Sequence, residues 1–348
     1  MRDLGKIKWQ LTAAAILGII LSSSLSVFAQ FYYVCSYAEP RGETEAQLAI
    51  VDLASKTIES IRGVPLAGQI STKKPIRLPI PRNEIYLIFA SNGGPAKNSI
   101  VGNQMTTNFA AFDENMNLVN TGALPDVWIF DFVTAYSDTP FVQYTDFSGQ
   151  LSVKRKAAIS LRDLRPQISP RVRLPNEGLL PDTLGPFKSY QQIHRNDFHY
   201  FWCLNENGIY ILSYDLDQRL LADSLRVASG LEYAYIFGAS PADSLIYAFH
   251  INYNIIGGPE SLRKSSIEPS FVKKFNMSDF SLADSIAVIM PSPDSDYVMA
   301  ENGSCDNIGP YLVYFFFQGE DYRYFSPAML FIFDTRTNEA TWLRVGWR

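Results

Sequence analysis

From residue 31 onward, the hydrophobic positions of the chain come in short runs rich in Tyr, Phe, Val and Ile. Pro, Gly, Asn, Asp and Ser separate these runs. Short aromatic and β-branched runs between turn-forming residues are typical of strands joined by tight connections. Few windows keep helical spacing for three turns, and residues 155–164 are the main helical candidate. The pattern therefore predicts an all-β protein with little helix.

One strand pattern recurs along the chain. A polar turn leads into a continuous apolar run, as expected of a strand buried on both faces. A further apolar strand lies at residues 141–144, and the other copies place these residues at corresponding positions: Tyr33, Tyr86, His199, Tyr247 and Tyr297. Neighbouring copies are roughly 50 residues apart, a period typical of repeat folds. This spacing predicts six repeated units.

Most units also contain a second pattern, in which an apolar strand runs into Asp or Asn, a turn, and a more polar strand. The turn residues of these copies are Asp52, Asp113, Asp215, Asn276 and Asp334. Asp and Asn suit such turns because their side chains bond to the backbone two residues on. Residues 154–186 are basic and Pro-rich and show no clear outer hairpin, so the third unit departs from the pattern. Seven units stay open as an alternative.

An inner buried strand, a variable middle and an outer hairpin are the parts of a propeller blade, so the repeated buried strand is predicted to be the inner one. Residues 292–298 and the Asp-turn hairpins resemble the six-bladed TolB-like propellers and related exported bacterial propeller repeats. The resemblance covers most of residues 31–348 and implies one β-propeller domain over residues 30–348. Because a closed propeller leaves no free sheet edges at its ends, we expect the strand at residues 31–37 within or directly beside the C-terminal blade. Cys35 and Cys305 would then lie in neighbouring units and are candidates for a disulfide bridge.

The first 29 residues have the pattern of a cleavable secretory signal. Arg2, Lys6 and Lys8 precede an apolar run at residues 9–21, and Val27 and Ala29 supply the small residues before a cleavage site. An uncleaved anchor is the alternative, but serines at 22–24 end the run short of the roughly 20 residues that span a bilayer. We expect the mature chain to begin at Gln30. It is then exported, to the periplasm or the cell surface, without a stable membrane span.

Composition and charge remove several classes of function. The chain carries 30 Lys and Arg against 35 Asp and Glu, a net charge of -5, and this balance gives no basic surplus for nucleic acid. With three His and three Cys in the chain, and a strand alternation that separates His194 from Asp197 while His199 takes a repeat position, we predict no metal site. Neither a Gly-x-Ser-x-Gly motif nor a phosphate-binding loop occurs. We therefore predict no catalytic residue and no cofactor.

Function is expected in the connections that vary in length between units. Residues 91–108 and 252–270 are long, residues 205–208 are minimal and residues 301–310 are intermediate. Surface loops on a rigid scaffold often carry binding groups, so we predict that the protein binds a protein, peptide or glycan on one face. The candidate contact residues are Asn92, Asn103, Asn254, Glu260, Arg263 and Asn302.

A propeller hydrolase or lyase at the channel mouth, with carboxylates such as Asp126, Asp131 and Glu301, is one alternative. A structural module of a cell-surface assembly is the other.

Overall fold

The protein is described by a computed structural model. It describes residues 30–37, 46–66, 69–70, 75–80, 83–92, 106–136, 139–146, 153–169, 188–195, 198–205, 208–215, 220–228, 234–240, 242–252, 268–287, 298–299, 303–318 and 326–345. Strands and turns make up this part of the chain, which contains no helix. Accordingly, none of the described residues forms a helix long and apolar enough to cross a membrane.

The first three sheets follow one another along the chain. Sheet 1 consists of β1 (Phe31–Tyr37), β2 (Ala46–Asp52) and β3 (Thr57–Val64). Sheet 2 consists of β4 (Gln69–Ile70), β5 (Ile76–Ile80), β6 (Asn83–Asn92), β7 (Thr106–Phe112) and β8 (Leu118–Pro125), with β4 and β5 both paired to β6. Sheet 3 consists of β9 (Val127–Tyr136), β10 (Thr139–Asp146), β11 (Val153–Arg162) and β12 (Arg165–Ser169).

Three more sheets complete the described fold. Sheet 4 consists of β13 (Lys188–Arg195), β14 (Phe198–Asn205), β15 (Gly208–Asp215) and β16 (Leu220–Ala228). Sheet 5 consists of β17 (Ala234–Ser240), β18 (Leu245–Asn252), β19 (Glu268–Asn276) and β20 (Leu282–Ile286), joined by β22 (Gly303–Ser304) parallel to β17. Sheet 6 consists of β21 (Val298–Met299), β23 (Asp306–Ile308), β24 (Tyr311–Gln318), β25 (Ser326–Asp334) and β26 (Glu339–Arg344).

Each sheet is built on an antiparallel meander, and in sheet 5 the parallel strand β22 is added beside β17. The last strand of a sheet is exposed or half-buried along its length, as β8 and β26 show. The strand before it is almost wholly buried, as in β7. A strand buried on both faces lies inside the fold, and an exposed or half-buried strand borders solvent. The last strand of each sheet is therefore the outer one, and the first strand is the inner one.

Neighbouring sheets pack face to face around a ring. Sheets 1 and 2 share a core that includes Leu48 and Ile88, and sheets 2 and 3 share one that includes Phe109 and Ile129. The inner strands β9 and β13 bring sheets 3 and 4 into contact. Further cores join sheets 4 and 5, and then sheets 5 and 6, where Phe249 packs against Phe331. This succession of face-to-face meanders is the architecture of a β-propeller.

The ring closes between the last sheet and the first. Tyr32, Val34 and Val51 of sheet 1 share a buried core with Leu330 and Ile332 of sheet 6. Strand β1 contacts β25 but pairs only with β2 among the described strands. The prediction that the N-terminal strand lies directly beside the C-terminal blade is confirmed. Closure uses side-chain packing between two sheets.

Two strand assignments made from the sequence are wrong. The buried repeat strands of β6, β14 and β18 occupy the second position of their sheets, because another, inner strand precedes each of them. In the last unit, the residues around Tyr297 lead into β21, a two-residue inner strand. The long buried strand there is β24, which carries Tyr314 and Phe316. Continuous apolar character marks burial but does not fix a strand's position within the sheet.

The third unit also differs from expectation. Residues 155–164, the helical candidate, lie mainly in β11, which pairs with β10 on one side and β12 on the other. Ala157 and Ile159 fill the core shared with sheet 2, so tertiary packing overrides the local helical spacing. The outer hairpin that the sequence seemed to lack is present, and its turn residues Asp163 and Leu164 both have positive φ. That pair of conformations matches the twist of flanking strands.

The Asp turns form as predicted. Asp52 Oδ1 accepts the amide of Ala54 at 2.9 Å, and Asp113 Oδ1 accepts those of Asn115 and Asn117. Asp334 Oδ1 accepts the amide of Arg336, at 3.0 Å, and the guanidinium of Arg336 also contacts this carboxylate. These bonds favour the ionised carboxylate and lower the pKa of Asp113 and Asp334. The turn side chains therefore fix the outer hairpins.

Candidate functional site

The meander topology separates the connections of the molecule into two faces. Successive strands run in opposite directions, so the connections after the second and fourth strands leave at one end of each sheet, here called the loop face. Connections after the first and third strands leave at the opposite end, the turn face. The connections of residues 93–105, 170–187 and 253–267 follow strands that end at the loop face, whereas the turn face carries short turns such as 113–117 and 163–164. Long connections are thus concentrated on one face.

Of the six predicted contact residues, Asn92 is the one that lies within the described part of the chain. Asn92 is the last residue of β6 and pairs with Thr106 where residues 93–105 leave the sheet. Asn103, Asn254, Glu260, Arg263 and Asn302 lie outside the described residues. In the sequence, the first four of these belong to the connections of residues 93–105 and 253–267, which follow β6 and β18. Residues 301–310 are not a counterpart of those loops, because in sheet 6 the equivalent connection is residues 319–325. Asn302 stays a prediction.

An aromatic and basic cluster lies where residues 253–267 leave sheet 5. His250 of β18 pairs with Phe271 of β19, and their rings stack with centroids 4.5 Å apart. Lys273 Nζ lies 5.3 Å from the centre of the Phe271 ring. Burial and the Lys273 charge lower the pKa of His250, so its imidazole is neutral at pH 7. His250 is a buried strand residue, and the sequence analysis missed its neighbours Phe271 and Lys273.

A second polar cluster lies at the inner edges of sheets 5, 6 and 1. Residues 303–309 form a segment, here called the inner belt, that crosses from β17 to β24. The amide of Cys305 donates to Phe237 O, and Asn307 Nδ2 donates to Ala239 O, both at 2.6 Å. Tyr32 OH donates to the Asp306 carboxylate. The inner belt thus connects three sheets, including both ends of the ring.

Burial keeps Tyr32 and two neighbouring thiols in their protonated forms. Burial, with the Asp306 charge second, raises the pKa of Tyr32 well above its usual value. Burial also raises the pKa of the Cys35 and Cys305 thiols, which keeps both protonated and weakly nucleophilic at neutral pH. Both cysteines are free. The candidate disulfide is therefore wrong for this structure, in which Cys35 packs between sheets 1 and 2 and Cys305 between sheets 5 and 6.

Among the weaker chemical candidates, the described strands bring His194 and His199 opposite each other. His194 and His199 are direct partners across β13 and β14, while Asp197 lies outside the described residues. Asp126 links β8 to β9, and Asp131 pairs with Gln143 within sheet 3. Glu301 lies outside the described residues. Over the described ranges, the structure contains no group of three or more His, Cys, Asp or Glu residues that could hold a metal ion.

The fold defines the class of the protein as an all-β, propeller-like protein. No protein-family model matches the chain, and no curated protein matches its sequence. Among solved structures, apo AztD from Citrobacter koseri is 9% identical, with a TM-score of 0.39 over 91% of this chain and 95% of that chain. A chain of the nidogen/laminin complex is 8% identical, with a TM-score of 0.42 over 90% of this chain and 96% of that chain. A Bacteroides caccae protein of unknown function is 8% identical, with a TM-score of 0.35 over 89% and 92%.

Proposed function

We propose that this chain is an exported, non-enzymatic, six-bladed propeller that binds a protein, peptide or glycan through its loop face. Each of the six sheets is one blade. The observation that carries the proposal is the concentration of long connections at one end of the meanders. Rigid sheets with variable loops at one end are a common arrangement of binding scaffolds. The Phe271 and Lys273 surface at the base of residues 253–267 adds an aromatic face and a positive charge there.

Export is proposed from residues 1–29, in which Arg2, Lys6 and Lys8 precede an apolar run and small residues stand before position 30. The intact mass of the exported protein tests this step. A species that keeps residues 1–29 in the membrane fraction would contradict it.

Binding is tested by screening the purified mature protein against glycan and peptide arrays, beside a panel of glycosidase, lyase and esterase substrates. We expect an array hit and no turnover. The hit is then measured with two variants in which residues 93–105 or 253–267 are shortened. Because long surface loops cost little when shortened, their melting temperatures should stay close to that of the parent while affinity falls at least tenfold.

A matched control keeps the loop face intact. Glu114→Ala and Thr337→Ala change exposed residues of the turn face and should bind like the parent. Equal losses in loop-face and turn-face variants, or normal binding by both shortened variants, would overturn the one-face proposal. Turnover of a substrate would instead establish the hydrolase or lyase alternative.

A further inference from the structure

Gln30 lies at the seam between the first and last sheets. Its carbonyl accepts the Leu53 amide, and its side-chain amide packs against Gly309 in the turn before β24. Gly309 has a φ of +57°, and a Cβ at this position would overlap the Gln30 amide. Gln30 is half-buried. Gln30 therefore lies between sheet 1 and the inner belt.

We propose that Gln30 is a modification site, at which the mature N-terminus closes to a pyroglutamyl lactam. The inference rests on the proposed cleavage after Ala29, which makes Gln30 the N-terminal residue. The α-amine nitrogen attacks the side-chain carbon Cδ, a new N–Cδ bond forms, and the Cδ–Nε2 bond breaks. The α-amine proton leaves with Nε2 as ammonia. Neither an oxidant nor a second substrate is needed.

The seam explains why the lactam suits this position. A free α-amine is mostly charged at pH 7. Moving that charge out of water without an ion-pair or hydrogen-bond partner destabilises the folded state. The lactam is neutral, keeps an N–H donor and a C=O acceptor, and loses Nε2. Ring closure thus removes a charge where sheet 1 meets sheet 6.

The test is the intact mass and N-terminal chemistry of protein exported from its full-length chain. We expect the mass of residues 30–348 less one ammonia, and a terminus blocked to Edman degradation. Gln30→Asn is the matched control, because an N-terminal Asn would need a strained four-membered ring. That variant should keep its ammonia, give a readable N-terminus and melt at a lower temperature than the parent.

The outcomes separate this inference from the proposal beneath it. A parent mass of residues 30–348 with its ammonia retained would overturn lactam formation and leave cleavage after Ala29 intact. Any other starting residue would overturn both. A parent and a Gln30→Asn variant with the same melting temperature, although only the parent is cyclised, would overturn the stabilising role given to the lactam.

Discussion

Replacing Leu330 with Ala tests the packing that closes the ring. Leu330 has 0% of its surface exposed, in the core shared by sheets 1 and 6. A buried Leu→Ala change costs about 2–5 kcal/mol, through lost burial and the cavity left behind. We take about 3 kcal/mol. With an unfolding entropy of about 2.1 cal/mol/K per residue over roughly 320 residues, this lowers the melting temperature by about 4–5 °C.

Leu282→Ala is the control, because Leu282 lies on outer strand β20 and has 57% of its surface exposed. Exposed substitutions of this kind usually change stability by about 0.5 kcal/mol or less. Chemical denaturation of parent and variants gives the free energies of unfolding, and calorimetry gives the melting temperatures. Equal effects from the two variants would refute the reasoning, since Leu330 would then not pack against a second sheet.

Two further perturbations probe other parts of the ring. In Gly238→Ala, the new Cβ would lie 2.7 Å from Leu312 Cδ1 across sheets 5 and 6, so overpacking should cost about 1–3 kcal/mol by denaturant titration; an unchanged midpoint would contradict this contact. Burial raises the pKa of Cys35 and Tyr32, so the unfolded chain releases these protons before the native state does. Stability should therefore be full below pH about 8.5, the ordinary thiol value, and fall as pH rises toward the raised native values. Cys35→Ala should flatten that alkaline slope in urea titrations, and an identical slope would show that the thiol does not contribute.

The sequence predicts the all-β class because alternation and turn chemistry are local properties. The Asp52, Asp113 and Asp334 turns form as expected, since each carboxylate bonds within its own hairpin. Closure was also predictable, because a ring of sheets must pair or cover its ends.

Features that depend on contacts between distant sheets were not predictable in the same way. The short inner strand β21 carries too few residues to give a pattern, so β24 was missed as the long buried strand of the last unit. Residues 155–164 have helical spacing but find partners on both edges. The Phe271 surface is defined by its cross-strand partner His250, and sequence alone does not show which strands pair.

The bond from Tyr32 to Asp306 offers the most direct test that the chain forms a closed ring. It joins two residues 274 positions apart, one in the first strand and one in the inner belt. The measurement is a double-mutant cycle in denaturant unfolding, with Tyr32→Phe, Asp306→Ala and the double variant. A hydrogen bond to a charged group contributes about 1.5–3 kcal/mol, so the account predicts a coupling energy of about that size. Strictly additive effects would contradict closure, because they would mean that the first strand and the inner belt do not meet.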